Sequence, residues 1–168
     1  MEFIRGLLDR LLLVGGVLAG GTAPSFVAQY RQRIGGHLNQ VLQDLAPFQQ
    51  IANLYHGGSL DALVQHHLNS PDVTFHKEGA AIKAMMDAAQ HLREIFEGLS
   101  GNLAQQLWFL SKHADPNVLS ATWEVYAPSF VFSVDSIILA ATTALVLWLV
   151  FHGAWIVSSF LVSRMRGA

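Results

Sequence analysis

The chain has 168 residues, of which 52% are hydrophobic and only 13% are charged, and its formal net charge at pH 7 is −2. Soluble domains average roughly 25% charged residues, so the composition excludes a disordered chain, argues against an ordinary soluble globule, and disfavours binding to nucleic acid through its phosphates. The absence of cysteine excludes disulfides, thiolate catalysis and zinc or iron–sulfur centres held by cysteine.

The first predicted element is an apolar helix near the N-terminus. Residues 11–28 carry no charge, and Arg5 and Arg10 precede them. A cleaved signal peptide has a similar order of charged and apolar residues, but Pro24 directly follows the best cleavage site and opposes processing. An amphipathic helix of a soluble protein would need a polar face, which this stretch lacks. We therefore predict an uncleaved transmembrane helix within residues 1–28.

Residues 29–127 form the predicted extracytoplasmic region, and their pattern is helical. An apolar seam with alternating spacings of three and four residues extends from Leu38 to Tyr55. Gly35-Gly36 is expected to loosen the helix before this seam, and Pro47 is expected to kink it. A second, short helix is predicted over Leu60–Leu68.

The chain is then predicted to turn, and Val73-Thr74-Phe75 is predicted to be briefly extended. A longer helix follows from Lys77, and its apolar seam extends from Met85 to Leu110 with interruptions at Gly98 and Gly101. Two antiparallel seams joined by a short helix predict a helical hairpin or a small bundle.

The last predicted element is a second transmembrane helix within residues 128–168. Residues 137–151 are uncharged and almost wholly apolar, and about 20 apolar residues are enough to cross a hydrocarbon core of about 30 Å. Arg164 and Arg166 form a short basic tail. Together with the arginines before the first helix, this tail predicts cytoplasmic termini, although Arg31 and Arg33 oppose that orientation.

The predicted fold class is therefore an all-α membrane protein in which two transmembrane helices flank a periplasmic helical hairpin or small bundle. Small residues at a spacing of four predict helix-packing positions within the membrane, because lipid-embedded helices associate through close packing. These positions are Gly16, Gly20, Ser136, Ala140 and Ala144. The spacing leaves open whether they join two helices of one chain or helices of two chains.

Two polar residues of the second apolar segment, Asp135 and His152, form a candidate intramembrane polar site, since ionisable groups in lipid often mark ion or proton paths. They lie about 25 Å apart along a helix, which is too far for a relay. The histidines of the central region, His56, His66, His67 and His76 among them, lack the spacing of a metal site. No catalytic, cofactor-binding or metal-binding residue is predicted.

The chain resembles a family of uncharacterised bacterial two-span inner-membrane proteins, known as a domain of unknown function. The resemblance rests on Asp9-Arg10-Leu11-Leu12 before the glycine-rich helix, on the segment from Phe26 to Gly36, and on Trp123 to Pro128 before the last helix. It implies a proteobacterial inner membrane and two spans, and it implies no activity, substrate or catalytic residue.

The leading functional hypothesis is a non-enzymatic accessory or scaffold subunit of the bacterial inner membrane. Its helices would bind a partner membrane protein or a second copy, so the expected partners are the lipid bilayer and a homo-oligomer or larger membrane complex, without nucleic acid. A sensor-like extracytoplasmic input module and an oligomeric pore or transport component are the alternatives. In the pore, Asp135 would ring the exterior mouth.

Overall fold

The first helix is much longer than the apolar segment with which it begins. The computed structural model describes residues 2–166, with side chains for residues 3–159, and α1 is continuous over Glu2–Tyr55. The predicted loosening at Gly35-Gly36 is therefore wrong. A Cβ added to Gly35 would lie 3.0 Å from the ring of Phe96, so this glycine allows close packing within the helix rather than ending it.

Five further helices follow, and no strand occurs among residues 2–166. The prediction of an all-helical protein is confirmed. The helices are α2 over Leu60–Leu68, α3 over Val73–Gly98, α4 over Leu103–His113, α5 over Pro116–Glu124 and α6 over Val134–Arg166. The side chains of Arg164 and Arg166, which carry part of the orientation argument, lie outside the described residues.

Local capping explains two differences from the predicted elements. Val73-Thr74-Phe75 is helical, because the Asp72 carboxylate accepts a hydrogen bond from the Thr74 backbone N–H at 2.7 Å and starts α3 there. Helix α5 was not predicted. Asp115 caps it, and Pro116 occupies its first turn, where the missing N–H of proline costs nothing.

The chain divides into two compact units. The terminal unit consists of Met1–Ala28 and Tyr126–Ala168, and the central unit consists of Gln29–Val125. Helix α1 contributes its first half to the terminal unit and its second half to the central unit.

In the central unit, the second half of α1 packs antiparallel to α3. Tyr30 and Ile34 share a buried cluster with Ile95 and Leu99, near the end of α3. Leu45 shares another cluster with residues nearer the start of α3, and Val64 of α2 completes it. Because later positions of α1 meet earlier positions of α3, the two helices run in opposite directions.

The two apolar seams supply most of these clusters. From the first seam, Leu38, Val41, Leu45 and Phe48 pack in the core of the central unit, and Ala52 is buried. The seam was extended too far, because Tyr55, at its end, is 77% exposed. The helix stops there since Gly57 and Gly58 adopt positive φ angles, which turn the chain toward α2.

Candidate functional site

Small residues of α1 and α6 face each other in the terminal unit. A Cβ added to Gly16 would lie 2.6 Å from the Cα of Ala144, and one added to Gly20 would lie 2.8 Å from the Cα of Ala140. Ala140 and Ala144 are buried, as is Ser136 one turn before them. The structure thus brings Gly16, Gly20, Ala140 and Ala144 to one contact between two helices of the same chain.

This contact uses Gly16 and Gly20 of α1 but not the neighbouring Gly15. Space around Gly15 is open, with no neighbouring atom within 4 Å of an added Cβ, whereas Gly16 touches backbone atoms of α6. As the residue numbers rise from Gly16 to Gly20, those of their partners fall from Ala144 to Ala140. The two helices therefore run antiparallel, and glycine lets their backbones approach closely.

A hydrogen-bonded group lies toward one end of this helix pair. The Tyr126 hydroxyl donates to the Thr22 carbonyl oxygen at 2.7 Å and lies 2.9 Å from the Ser25 hydroxyl oxygen. The Phe26 ring meets the Tyr126 ring edge to face, with 5.1 Å between centroids. Ser25 also donates to the Thr22 carbonyl oxygen, so backbone and side-chain polar groups are joined around one tyrosine.

A second polar group lies toward the opposite end of the pair. The Arg5 Nη2 atom is 3.5 Å from Nδ1 and 3.4 Å from Nε2 of His152. Its guanidinium carbon also lies 5.4 Å from the centre of the Trp155 ring, within the range of a cation–π contact. The His152 ring in turn stacks on Trp148, with 5.0 Å between centroids. His152 therefore belongs to an aromatic group of α6 that holds the arginine of α1.

Arg5 and Asp9 are one helical turn apart, a spacing that allows an ion pair, but the described residues show none between them. No nitrogen of Arg5 lies within 4.0 Å of the Asp9 carboxylate, and the buried Oδ1 of Asp9 has no hydrogen-bond partner there. A cavity of about 290 Å³ opens beside these groups, lined by Arg5, Gly6, Asp9, Trp148 and His152. We call it the Arg5–Asp9 pocket.

Asp135 is not part of this pocket. It is exposed in the first turn of α6, where a carboxylate interacts favourably with the helix dipole. The preceding Ser133 accepts a hydrogen bond from the Ser136 backbone N–H at 3.2 Å. The distance of about 25 Å along α6 keeps Asp135 and His152 apart, so the two candidate polar residues do not form one site.

The central unit holds its own polar groups. His56 and His66 have ring centroids 5.2 Å apart, and His67 Nδ1 lies 3.5 Å from Glu78 Oε2. A separate cavity of about 350 Å³ is lined by His91, Glu94, Ile95, Phe109, His113, Ala114, Asp115 and Pro116. In the part of the chain that the structure describes, no three histidine, aspartate or glutamate side chains are grouped to hold a metal ion.

Two helices of the described chain, Phe3–Tyr55 and Val134–Ser159, are long and apolar enough to span a membrane. A family model described as "Protein of unknown function (DUF2937)" matches residues 4–165, which is nearly the whole chain. The chain belongs to the DUF2937 family. No curated protein and no solved structure matched it significantly.

The polar contacts of this DUF2937 protein were largely missed by sequence reasoning. Arg5 and His152 are 147 positions apart, and only the register of the two helices brings them together. The sequence did carry a signal for this contact. When α1 and α6 are aligned antiparallel, Arg5 and His152 both lie past the same end of the row of small residues. The role of Tyr126 had no comparable signal, because it depends on the path of the chain before α6.

Proposed function

We propose that this protein is a non-enzymatic accessory or scaffold subunit of the bacterial inner membrane. The first half of α1 and α6 span the bilayer, and the central unit lies on the extracytoplasmic side with both termini in the cytoplasm. The central unit binds a partner membrane protein or a second copy of the chain.

The exposure of apolar side chains on α6 carries this proposal. Ile138 is 58% exposed and Val150 is 64% exposed, and the other large apolar side chains exposed along the same helix are Val134, Ile137, Leu145, Val146, Leu147, Leu149, Ile156 and Val157. An apolar side chain that stays half exposed to water loses about 1 kcal/mol of the free energy that its full burial would supply. The set forfeits roughly 10 kcal/mol, as much as the net stability of a whole domain. Lipid removes this cost.

The spacing of the two polar groups supports the same location. Arg5 and Ser25 are separated along α1 by about 30 Å at a rise of about 1.5 Å per residue. This length equals the hydrocarbon thickness of a typical bilayer, about 30 Å. The Arg5 group would therefore lie near one membrane surface, and the Tyr126 group near the other.

The central unit supplies the surface for binding. At the end of α1, Leu54 and Tyr55 are 75% and 77% exposed, and Ile51, one turn before them, is also exposed. Apolar side chains that are exposed in a group often mark a contact with another protein. We assign the scaffold role to this part of α1.

Single cysteines test the location, because the native chain has none. We expect the protein in the membrane fraction after alkaline washing. In intact spheroplasts, a membrane-impermeant maleimide should label a Leu54→Cys variant but not a Ser158→Cys variant, which should react only after permeabilisation. Recovery of the protein in the supernatant would overturn the membrane location, and the reverse labelling pattern would overturn the orientation.

Crosslinking in native membranes tests the scaffold role. A photoactivatable maleimide attached at Leu54→Cys should give a discrete adduct with one neighbour or with a second copy, identified by mass spectrometry. Lys77→Cys, at an exposed polar position of α3, is the matched control and should give no discrete adduct. Equal, diffuse labelling from both positions would contradict the scaffold role.

A further inference from the structure

The Arg5–Asp9 pocket contains a carboxyl oxygen that lacks a partner. The Oδ1 atom of Asp9 is buried, and none of the described residues forms a hydrogen bond with it. A buried carboxylate oxygen is costly unless a donor or a positive charge meets it. Arg5, which lies one helical turn before Asp9, turns instead toward His152 and Trp155. The pocket therefore has room for a cationic donor beside Asp9.

The same pocket contains a cation suited to phosphate. The Arg5 guanidinium is planar and presents donors whose geometry matches phosphate oxygens. Its contacts with His152 are long, at 3.4 and 3.5 Å, and its contact with Trp155 is to the ring, so neither group neutralises its charge. Trp148 lines the wall beside the His152 ring that stacks on it, and the electron-rich indole ring attracts an ammonium group.

A ligand that contacts Arg5, Asp9 and Trp148 together carries a phosphate and an ammonium a few bonds apart. The pocket volume of about 290 Å³ lies at the lower end of small-molecule sites, which suits a headgroup of this size. We propose that the Arg5–Asp9 pocket binds the phosphoethanolamine headgroup of a membrane phospholipid, with the phosphate at Arg5 and the ammonium between Asp9 and Trp148. This inference rests on the proposed membrane location, since it takes the ligand from the bilayer.

Native mass spectrometry of the full-length protein from lipid nanodiscs tests the proposal. The nanodiscs contain equal amounts of phosphatidylethanolamine, phosphatidylcholine and phosphatidylglycerol. We expect phosphatidylethanolamine to be retained about tenfold over phosphatidylcholine, because a quaternary ammonium cannot donate a hydrogen bond to Asp9. Equal retention of the two lipids, or preferential retention of phosphatidylglycerol through Arg5 alone, would overturn it.

Two variants separate the parts of the site. Asp9→Asn should remove the preference for phosphatidylethanolamine, and Arg5→Gln should lower retention of all three phospholipids. Asp135→Asn, at an exposed carboxylate outside the pocket, is the matched control and should retain the wild-type preference. A preference that survives Asp9→Asn would contradict the assignment of the ammonium to Asp9.

A lipid series keeps the test independent of how the variants fold. With the wild-type protein, retention should fall as the headgroup nitrogen carries one, two and three methyl groups, and a flat series would refute the proposal. Soluble phosphoethanolamine should not displace the bound lipid, and displacement at equal concentration would assign the site to a soluble ligand. A protein that fails to enter nanodiscs would refute the membrane location instead, so the two failures are distinguishable.

Discussion

The Tyr30 hydroxyl oxygen accepts a hydrogen bond from the Asp115 backbone N–H at 2.9 Å, joining α1 to the start of α5 across 85 positions of the chain. Tyr30 is fully buried in the cluster with Ile34 and Leu99. We predict that Tyr30→Phe destabilises the protein by about 1–3 kcal/mol, because it leaves a partly buried N–H without an acceptor. Thermal unfolding followed by circular dichroism in mild detergent measures the loss. Tyr55→Phe, at a 77% exposed tyrosine, should change the stability little, and equal effects of the two substitutions would contradict the role of the hydrogen bond.

The same tyrosine predicts a pH dependence. Burial raises the pKa of the Tyr30 phenol. The hydrogen bond from the Asp115 N–H opposes this rise, and the Asp115 carboxylate adds to it. The folded protein therefore holds the phenol proton more tightly than the unfolded chain, so this contribution to stability is fully present below about pH 10 and is lost as the pH rises through the raised pKa. The stability difference between wild type and Tyr30→Phe should shrink over that range, and a difference that grows with pH would be the wrong sign.

The contact between α1 and α6 predicts opposite outcomes at two adjacent glycines. Gly16→Ala should separate the helices, because its Cβ would meet the Ala144 backbone at 2.6 Å, whereas Gly15→Ala meets open space. Overpacking of this kind costs about 1–3 kcal/mol, while alanine in a helix interior is favoured over glycine by about 1 kcal/mol. Thermal unfolding in detergent should therefore show a lower midpoint for Gly16→Ala and an equal or higher one for Gly15→Ala. Equal midpoints would contradict the close approach.

The capping box of α4 predicts a smaller effect. The Asn102 side chain accepts a hydrogen bond from the Gln105 backbone N–H at 3.0 Å, and the Gln105 side chain accepts one from the Asn102 backbone N–H at 3.0 Å. Asn102→Ala removes one of these two hydrogen bonds and should lower the free energy of unfolding by about 0.5–2 kcal/mol. Asn39→Ala, at an exposed position inside α1, is the control. Hydrogen exchange of the first turn of α4 should rise in the first variant and stay unchanged in the second.

The spacing of apolar residues predicted the helices that bury a continuous seam, because a helix can bury such a seam only if its apolar residues recur on one face. It failed at Gly35, which was expected to loosen the helix but lies within continuous α1, where an added Cβ would come within 3.0 Å of the ring of Phe96. It also failed at α5, which buries only Thr122 and whose start depends on the Asp115 cap and on Pro116. The meeting of Arg5 with His152 depends on the register of two helices, which local spacing alone does not determine.

The glycine face of α1 is occupied by α6 of its own chain. Gly16 and Gly20 are consequently withdrawn from lateral recognition, and a second copy docking in the bilayer would meet the exposed flanks of α1, where Leu11, Val14 and Leu18 lie beside the open Gly15. Homotypic assembly must then proceed through those flanks or through the central unit. If a larger side chain at Gly16 alone abolished an oligomer, that result would instead imply that two copies exchange their α6 helices.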